Sequence, residues 1–120
     1  MHKKMGKLSD ATAEMLMRSR FSAYRLGLVD YLLETTAPKA RDKRLRSEIE
    51  NTANTTEWLS LEIIQTQQGG PRDKMGKVEF VAQYRNLSSN GTSSERALHE
   101  LSRFTRYQGH WVYLDGKIFG

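Results

Sequence analysis

Leu98-His-Glu-Leu-Ser-Arg-Phe-Thr-Arg-Tyr-Gln-Gly-His-Trp-Val-Tyr-Leu-Asp-Gly116 decides the fold of this chain. The segment reads as two strands joined by a turn at Gln108-Gly109. It sets a carboxylate, a hydroxyl, arginines and large aromatics along one short ribbon. Such a ribbon lines either a polar-aromatic pocket or a tightly cemented core. Glu100, Ser102 and Phe104 alternate, so they share one face of their strand. Leu98 and Phe104 are apolar, which predicts that this face is covered.

The pattern extends upstream. Trp58 to Gln67 reads as a first strand and is broken by Gly69-Gly70-Pro71. Lys77 to Leu87 reads as a second, turned back by Asn90-Gly91, where both residues tolerate positive φ. Arg96 to Tyr107 is the third and His110 to Leu114 the fourth, ended by Asp115-Gly116. Before Thr56 the period is helical. Ser9 or Asp10 caps a helix whose stripe is Ala13, Leu16, Met17, Phe21 and Tyr24, and Gly27 stops it. A short helix near Leu28 to Thr35 buries Val29, Leu32 and Leu33, with Pro38 closing it. A third runs from Arg41 to Asn54 on Leu45, Ile49 and Ala53. Helices first and four antiparallel strands after predict an α+β fold. The helices pack in the concave face of a curved four-stranded sheet, because long strands coil around what they cover. The open end of that cone is a natural pocket.

The totals agree. The chain has 120 residues, 38% hydrophobic and 28% charged, which suits one folded domain over 9–120 and a basic, flexible arm over 1–8. No apolar run approaches the ~20 residues of a membrane span. The N-terminus carries no apolar signal region, and there is no cysteine. A cytoplasmic address is expected, with no disulfide, thiolate chemistry or cysteine-held zinc. A net charge of +5 and a pI near 9.6 raise nucleic acid or acidic surfaces as partners without selecting either.

Leu16-Met-Arg-Ser-Arg-Phe-Ser-Ala-Tyr24 followed by Asp30-Tyr-Leu, then Lys77-Val-Glu-Phe-Val-Ala82, His99-Glu-Leu-Ser-Arg-Phe-Thr-Arg106 and Gly109-His-Trp-Val-Tyr-Leu-Asp-Gly116, resemble successive blocks of the YchJ-like family of bacterial proteins. The resemblance spans about Thr12 to Gly116. It implies a cone similar to nuclear transport factor 2, and a homodimer formed through the exposed side of the sheet. The family's middle domain is usually flanked by cysteine-rich SEC-C motifs that bind zinc. This cysteine-free chain carries none, so the resemblance brings no metal or other cofactor with it.

Several side chains could carry chemistry. Glu100 is either a general base or ligand anchor, or a structural carboxylate held by a tyrosine or arginine. Glu79 can face either way; across from Glu100 it would make a carboxylate pair. Arg18 and Arg25 share a solvated face of the first helix, while Arg20 borders the apolar stripe and can reach inward to Glu100 or Asp30. Trp58, Tyr84, Trp111 and Tyr113 either line a pocket or serve as core. His99-Glu100 fails as a zinc-protease motif, since position 103 is arginine and the two alternate across a strand. Lys39, Arg41, Lys43, Arg44 and Arg46 form the densest basic cluster, without the interleaved aromatics of a single-strand binder. Three functions stay open. One is a binding or adaptor module for an unknown small ligand or protein, using the cone. The second is an isomerase- or dehydratase-like enzyme with Glu100 as base and Tyr24 or Tyr84 as oxyanion donor. The weakest is salt-sensitive binding of nucleic acid or an acidic surface.

Overall fold

The computed structural model describes residues 11–87 and 94–119. Helix α1 spans Ala13–Leu26. The expected cap at Ser9 or Asp10 lies outside the described residues; Thr12 Oγ1 caps the helix by accepting the Met15 N–H at 3.2 Å. Gly27 takes φ 70° and stops it. The Leu28 N–H then reaches back to the Ala23 carbonyl at 2.9 Å, closing the helix end as a left-handed cap does. Helix α2 spans Val29–Glu34 and buries Leu32 fully, with Val29 and Leu33 only partly covered.

The third helix starts later than expected. Pro38–Ala40 forms a 3-10 turn, and α3 covers Leu45–Thr55. The delay has a local cause: Asp42 Oδ1 accepts the Arg44 N–H at 2.9 Å, a side-chain turn that competes with helical bonding. Strand β1 (Thr56–Gln68) follows without a loop. Strands β2 (Met75–Asn86), β3 (Glu95–Tyr107) and β4 (His110–Ile118) complete an antiparallel sheet in the order β1-β2-β3-β4. The Asn90-Gly91 turn and the 1–8 arm lie outside the described residues. Gln108 and Gly109 turn β3 into β4 with φ 52° and 84°.

Strand β4 does not end at Leu114. Asp115, Lys117 and Ile118 pair on with Arg103, Leu101 and Glu100, past a register shift between Arg103 and Phe104. The Asp115 carboxylate receives Arg103 Nε at 2.7 Å and Nη2 at 2.5 Å. That bidentate pair holds the Asp-Gly step in the ladder and keeps the Asp115 carboxyl below its usual range.

Alternation places Val78, Phe80, Ala82, Ser102 and Phe104 under α1, where Ala13, Leu16 and Met17 meet them. Ala23, Leu32 and Ile49 form a second cluster between the helices. Residues 35–37 lie along the free edge of β4. The Tyr113 N–H donates to the Thr35 carbonyl at 2.7 Å and the Ala37 N–H to the Tyr113 carbonyl at 2.8 Å. The sheet edge is thereby covered. At the other end Arg106 stacks 4.0 Å over the Trp111 ring and donates to the carbonyls of Gly70, Pro71, Asp73 and Gly109 at 3.0–3.2 Å.

One close approach fixes how α1 enters the sheet. The Ala13 N–H donates to the Gly69 carbonyl at 2.9 Å. A Cβ on Gly76 would stand 2.5 Å from Gly69 Cα and 3.1 Å from Ala13 Cβ. Backbone cannot yield as a side-chain tip can. Gly76→Ala is therefore expected to cost about 2–3 kcal/mol of stability, in the range of overpacked cores. Thermal and urea unfolding check this, and an unchanged midpoint would contradict it.

Candidate functional site

Helix α1 and the sheet form a cavity of about 180 Å³ that is open to solvent. Met17, Arg20, Phe21 and Tyr24 reach it from α1 and Thr52 from α3. Trp58, Phe80, Ala82, Leu98, Glu100, Ser102 and Tyr113 reach it from the four strands. The register explains the polar side: Phe80 faces Glu100 and Val78 faces Ser102 across β2 and β3, so the carboxylate lies on the covered face.

Arg20 is 6% exposed. Its Nη1 donates to the Leu32 carbonyl at 3.0 Å, to Thr35 Oγ1 at 2.7 Å and to Thr36 Oγ1 at 3.3 Å. Its Cζ sits 4.9 Å from the centre of the Tyr113 ring. The Tyr24 hydroxyl is close enough for the cation to oppose the rise in its pKa. The expected contact with Glu100 or Asp30 is absent. Asp30 instead accepts Arg46 Nη2 at 2.6 Å, and no carboxylate among the described residues forms a salt bridge with Arg20. Glu100 acts on it only through its field. Burial lowers the pKa of the guanidinium, and the tyrosines around it and Glu100 oppose that shift.

Glu100 Oε2 accepts Ser102 Oγ at 2.8 Å and the Tyr113 hydroxyl at 3.2 Å. The carboxylate fits because position 116 has no side chain. A Cβ there would fall onto Oε2, 2.7 Å from Glu100 Cδ and 2.9 Å from the Tyr113 oxygen. Burial, then the charge of Glu100 and the bond to it, push the Tyr113 hydroxyl far above its ordinary value. Burial also raises Tyr24, although Arg20 opposes it. Trp58 packs against Phe21 and Tyr24 at ring distances of 6.1 Å and against Tyr84 at 5.2 Å. Its buried Nε1–H has no hydrogen-bond partner among the described residues.

Of the residues singled out in the sequence, Arg20, Tyr24, Trp58, Glu100, Ser102 and Tyr113 come together here. Four do not. Tyr84 supports Trp58 from beside the cavity. Phe104 is wholly buried against the edge of the Tyr113 ring. Trp111 belongs to the Arg106 clasp and donates Nε1–H to the Ala11 carbonyl at 2.8 Å. Glu79 lies on the opposite face of the sheet from Glu100, because it pairs with Leu101. There His99 Nε2 at 2.6 Å and Gln65 Nε2 at 3.0 Å hold its carboxyl below the usual range. Leu98, Ala82, Phe21 and Thr52 are lining residues that were not singled out, though the helical stripe and strand alternation point to the first three.

The basic cluster is partly committed elsewhere. Arg41 donates to the Thr36 and Glu34 carbonyls at 2.9 and 3.4 Å, and Arg46 pairs with Asp30 and Glu50. Lys39, Lys43 and Arg44 are exposed. No group of three or more metal-ligating side chains gathers among the described residues. No helix among them is long and apolar enough to cross a membrane.

Helices followed by an open four-stranded antiparallel sheet, with a cavity between them, define an α+β protein of the nuclear transport factor 2-like class. The family model described as the middle NTF2-like domain of YchJ matches residues 12–116, and the chain belongs to that family. A UPF0225 protein of Chromobacterium violaceum is 44% identical over 107 residues, covering 89% of this chain and 74% of the relative. A UPF0225 protein of Serratia proteamaculans is 40% identical over 92% of this chain and 70% of its own length. Among solved structures, a SEC-C motif containing protein from Rhodopseudomonas palustris superimposes with a TM-score of 0.76 at 30% identity, covering 93% and 82% of the two chains. One from Psychrobacter arcticus gives 0.68 at 31% identity, covering 94% and 64%.

The raised pKa values of Tyr24 and Tyr113 carry a sign. Above pH ~10, the ordinary tyrosine value, the unfolded chain releases protons that the folded site retains. The stability these two groups contribute is full below that pH and falls as pH rises through it. In an alkaline titration followed at 295 nm, Tyr113→Phe should leave the part preceding unfolding unchanged. Loss of a tyrosinate step near pH 10 from the still-folded variant would contradict the burial of that hydroxyl.

Proposed function

We propose that the chain is a cytosolic binding module whose cavity between α1 and the sheet takes a small organic ligand. The observation that carries this reading is the lining itself. Apolar walls from Met17, Phe21, Phe80 and Leu98 surround a few convergent polar groups, and one of these, Trp58 Nε1–H, is buried with no partner among the described residues. Ligand sites have this make-up, whereas buried donors in a purely structural core are paired. At about 180 Å³ the space slightly exceeds the ~150 Å³ that accepts benzene in an engineered core. A single ring with a small substituent is the matching size.

The enzymatic reading has one specific support. Glu100 uses Oε2 for both of its bonds, which leaves Oε1 toward a reacting proton, with the Tyr24 hydroxyl as a donor for a developing oxyanion. It requires that Glu100→Gln, while still folded, lose all turnover of an enolisable carbonyl compound.

Saturation-transfer NMR with indole, benzoate, benzyl alcohol and benzylamine tests the binding site. At least one is expected to bind the native chain and to lose binding in Ala82→Leu or Leu98→Trp, which fill the cavity. Binding of none, or binding unchanged in both folded variants, would overturn the proposal.

A further inference from the structure

The cavity holds an unequal set of hydrogen-bonding groups. Arg20 has five N–H donors. Nη1 serves the Leu32 carbonyl and the two threonine hydroxyls. Tyr24 brings a phenolic hydroxyl to the same lining. Trp58 Nε1–H has no partner among the described residues. Donors predominate among the polar groups on the helix side of the cavity, and one set belongs to a buried cation with no contacting carboxylate among the described residues. On the other side, Glu100 already receives Ser102 and Tyr113 on Oε2. Gly116 keeps its carboxylate close against β4.

An isolated buried cation is costly, and charge-assisted bonds to an anion offset that cost better than neutral ones. We propose that the ligand is a carboxylate on a single aromatic or similarly sized apolar body, with the carboxylate received by Arg20, Tyr24 and Trp58 and the body lying against Phe21, Phe80 and Leu98. The assignment rests on the cavity being a ligand site. It makes Arg20 both a clamp of the helices and the recognition element for the anion. It makes Glu100 a selectivity residue, since its negative charge faces the same space and disfavours a second acid group on the ligand.

Titrations of benzoate, benzyl alcohol and benzylamine into the native chain, followed by tryptophan fluorescence and by NMR, test the assignment. Benzoate is expected to bind at least about tenfold more tightly than the other two, as a charge-assisted contact implies. Arg20 also supports the fold, so the variants are Tyr24→Phe and Trp58→Phe, with thermal melts to verify folding and NMR to follow the tryptophan variant. Each should weaken benzoate about five- to tenfold by removing one donor, and Glu100→Gln should strengthen it by removing a like charge. Benzyl alcohol or benzylamine binding as tightly as benzoate would overturn the carboxylate assignment while the ligand site stands. So would loss of benzoate binding in folded Glu100→Gln. Failure of every ring compound would overturn both.

Discussion

The buried guanidinium of Arg20 ties the helical layer to the sheet. It projects from α1, is nearly inaccessible, and collects oxygen atoms 12 to 16 residues further along the chain. Those oxygens belong to the end of α2 and to the segment that covers the free edge of β4. The cation also lies over the Tyr113 ring, whose negative face attracts it. One side chain thus joins α1, α2, the edge segment and the sheet. Carbonyl and hydroxyl dipoles, with an aromatic face, stand in for the counter-ion that a buried charge ordinarily requires.

That arrangement sets the character of the cavity. Because Arg20 is held by neutral groups, its charge is not cancelled by contact with Glu100, and the two remain separate features on the helix side and the sheet side of the cavity. Glu100 is held instead by Ser102, Tyr113 and the space at Gly116. On the opposite face Glu79, His99 and Gln65 form their own network, with Phe119 4.5 Å from the His99 ring. The cavity and the outer sheet face are therefore chemically independent surfaces.

Much of this was legible in the sequence because it follows from period and parity. The stripe from Ala13 to Tyr24, the stop at Gly27 and the turn at Gln108-Gly109 each rest on one local rule, and all three hold. Parity placed Glu100, Ser102 and Phe104 together; the same rule, started from Val78 and Phe80, sends Glu79 outward. Asp115-Gly116 shows where local rules stop. The pair reads as the end of the strand, yet Gly116 is required by a carboxylate on the neighbouring strand and Asp115 by Arg103. The late start of α3 comes from a side-chain bond at Asp42 that propensity does not encode. The partners of Arg20 were not readable either. An inward arginine suggests a carboxylate, and it found carbonyl and hydroxyl oxygens whose position depends on how α2 and the edge segment dock.

Arginine side-chain NMR reports on the Arg20 guanidinium itself. The Arg20 Nη protons are expected to be individually resolved and slow to exchange at neutral pH, and to shift when benzoate is added while those of Arg18 and Arg25 stay unmoved. Arg20 signals that are averaged by free rotation, exchange as fast as those of the exposed arginines and ignore the anion would contradict this.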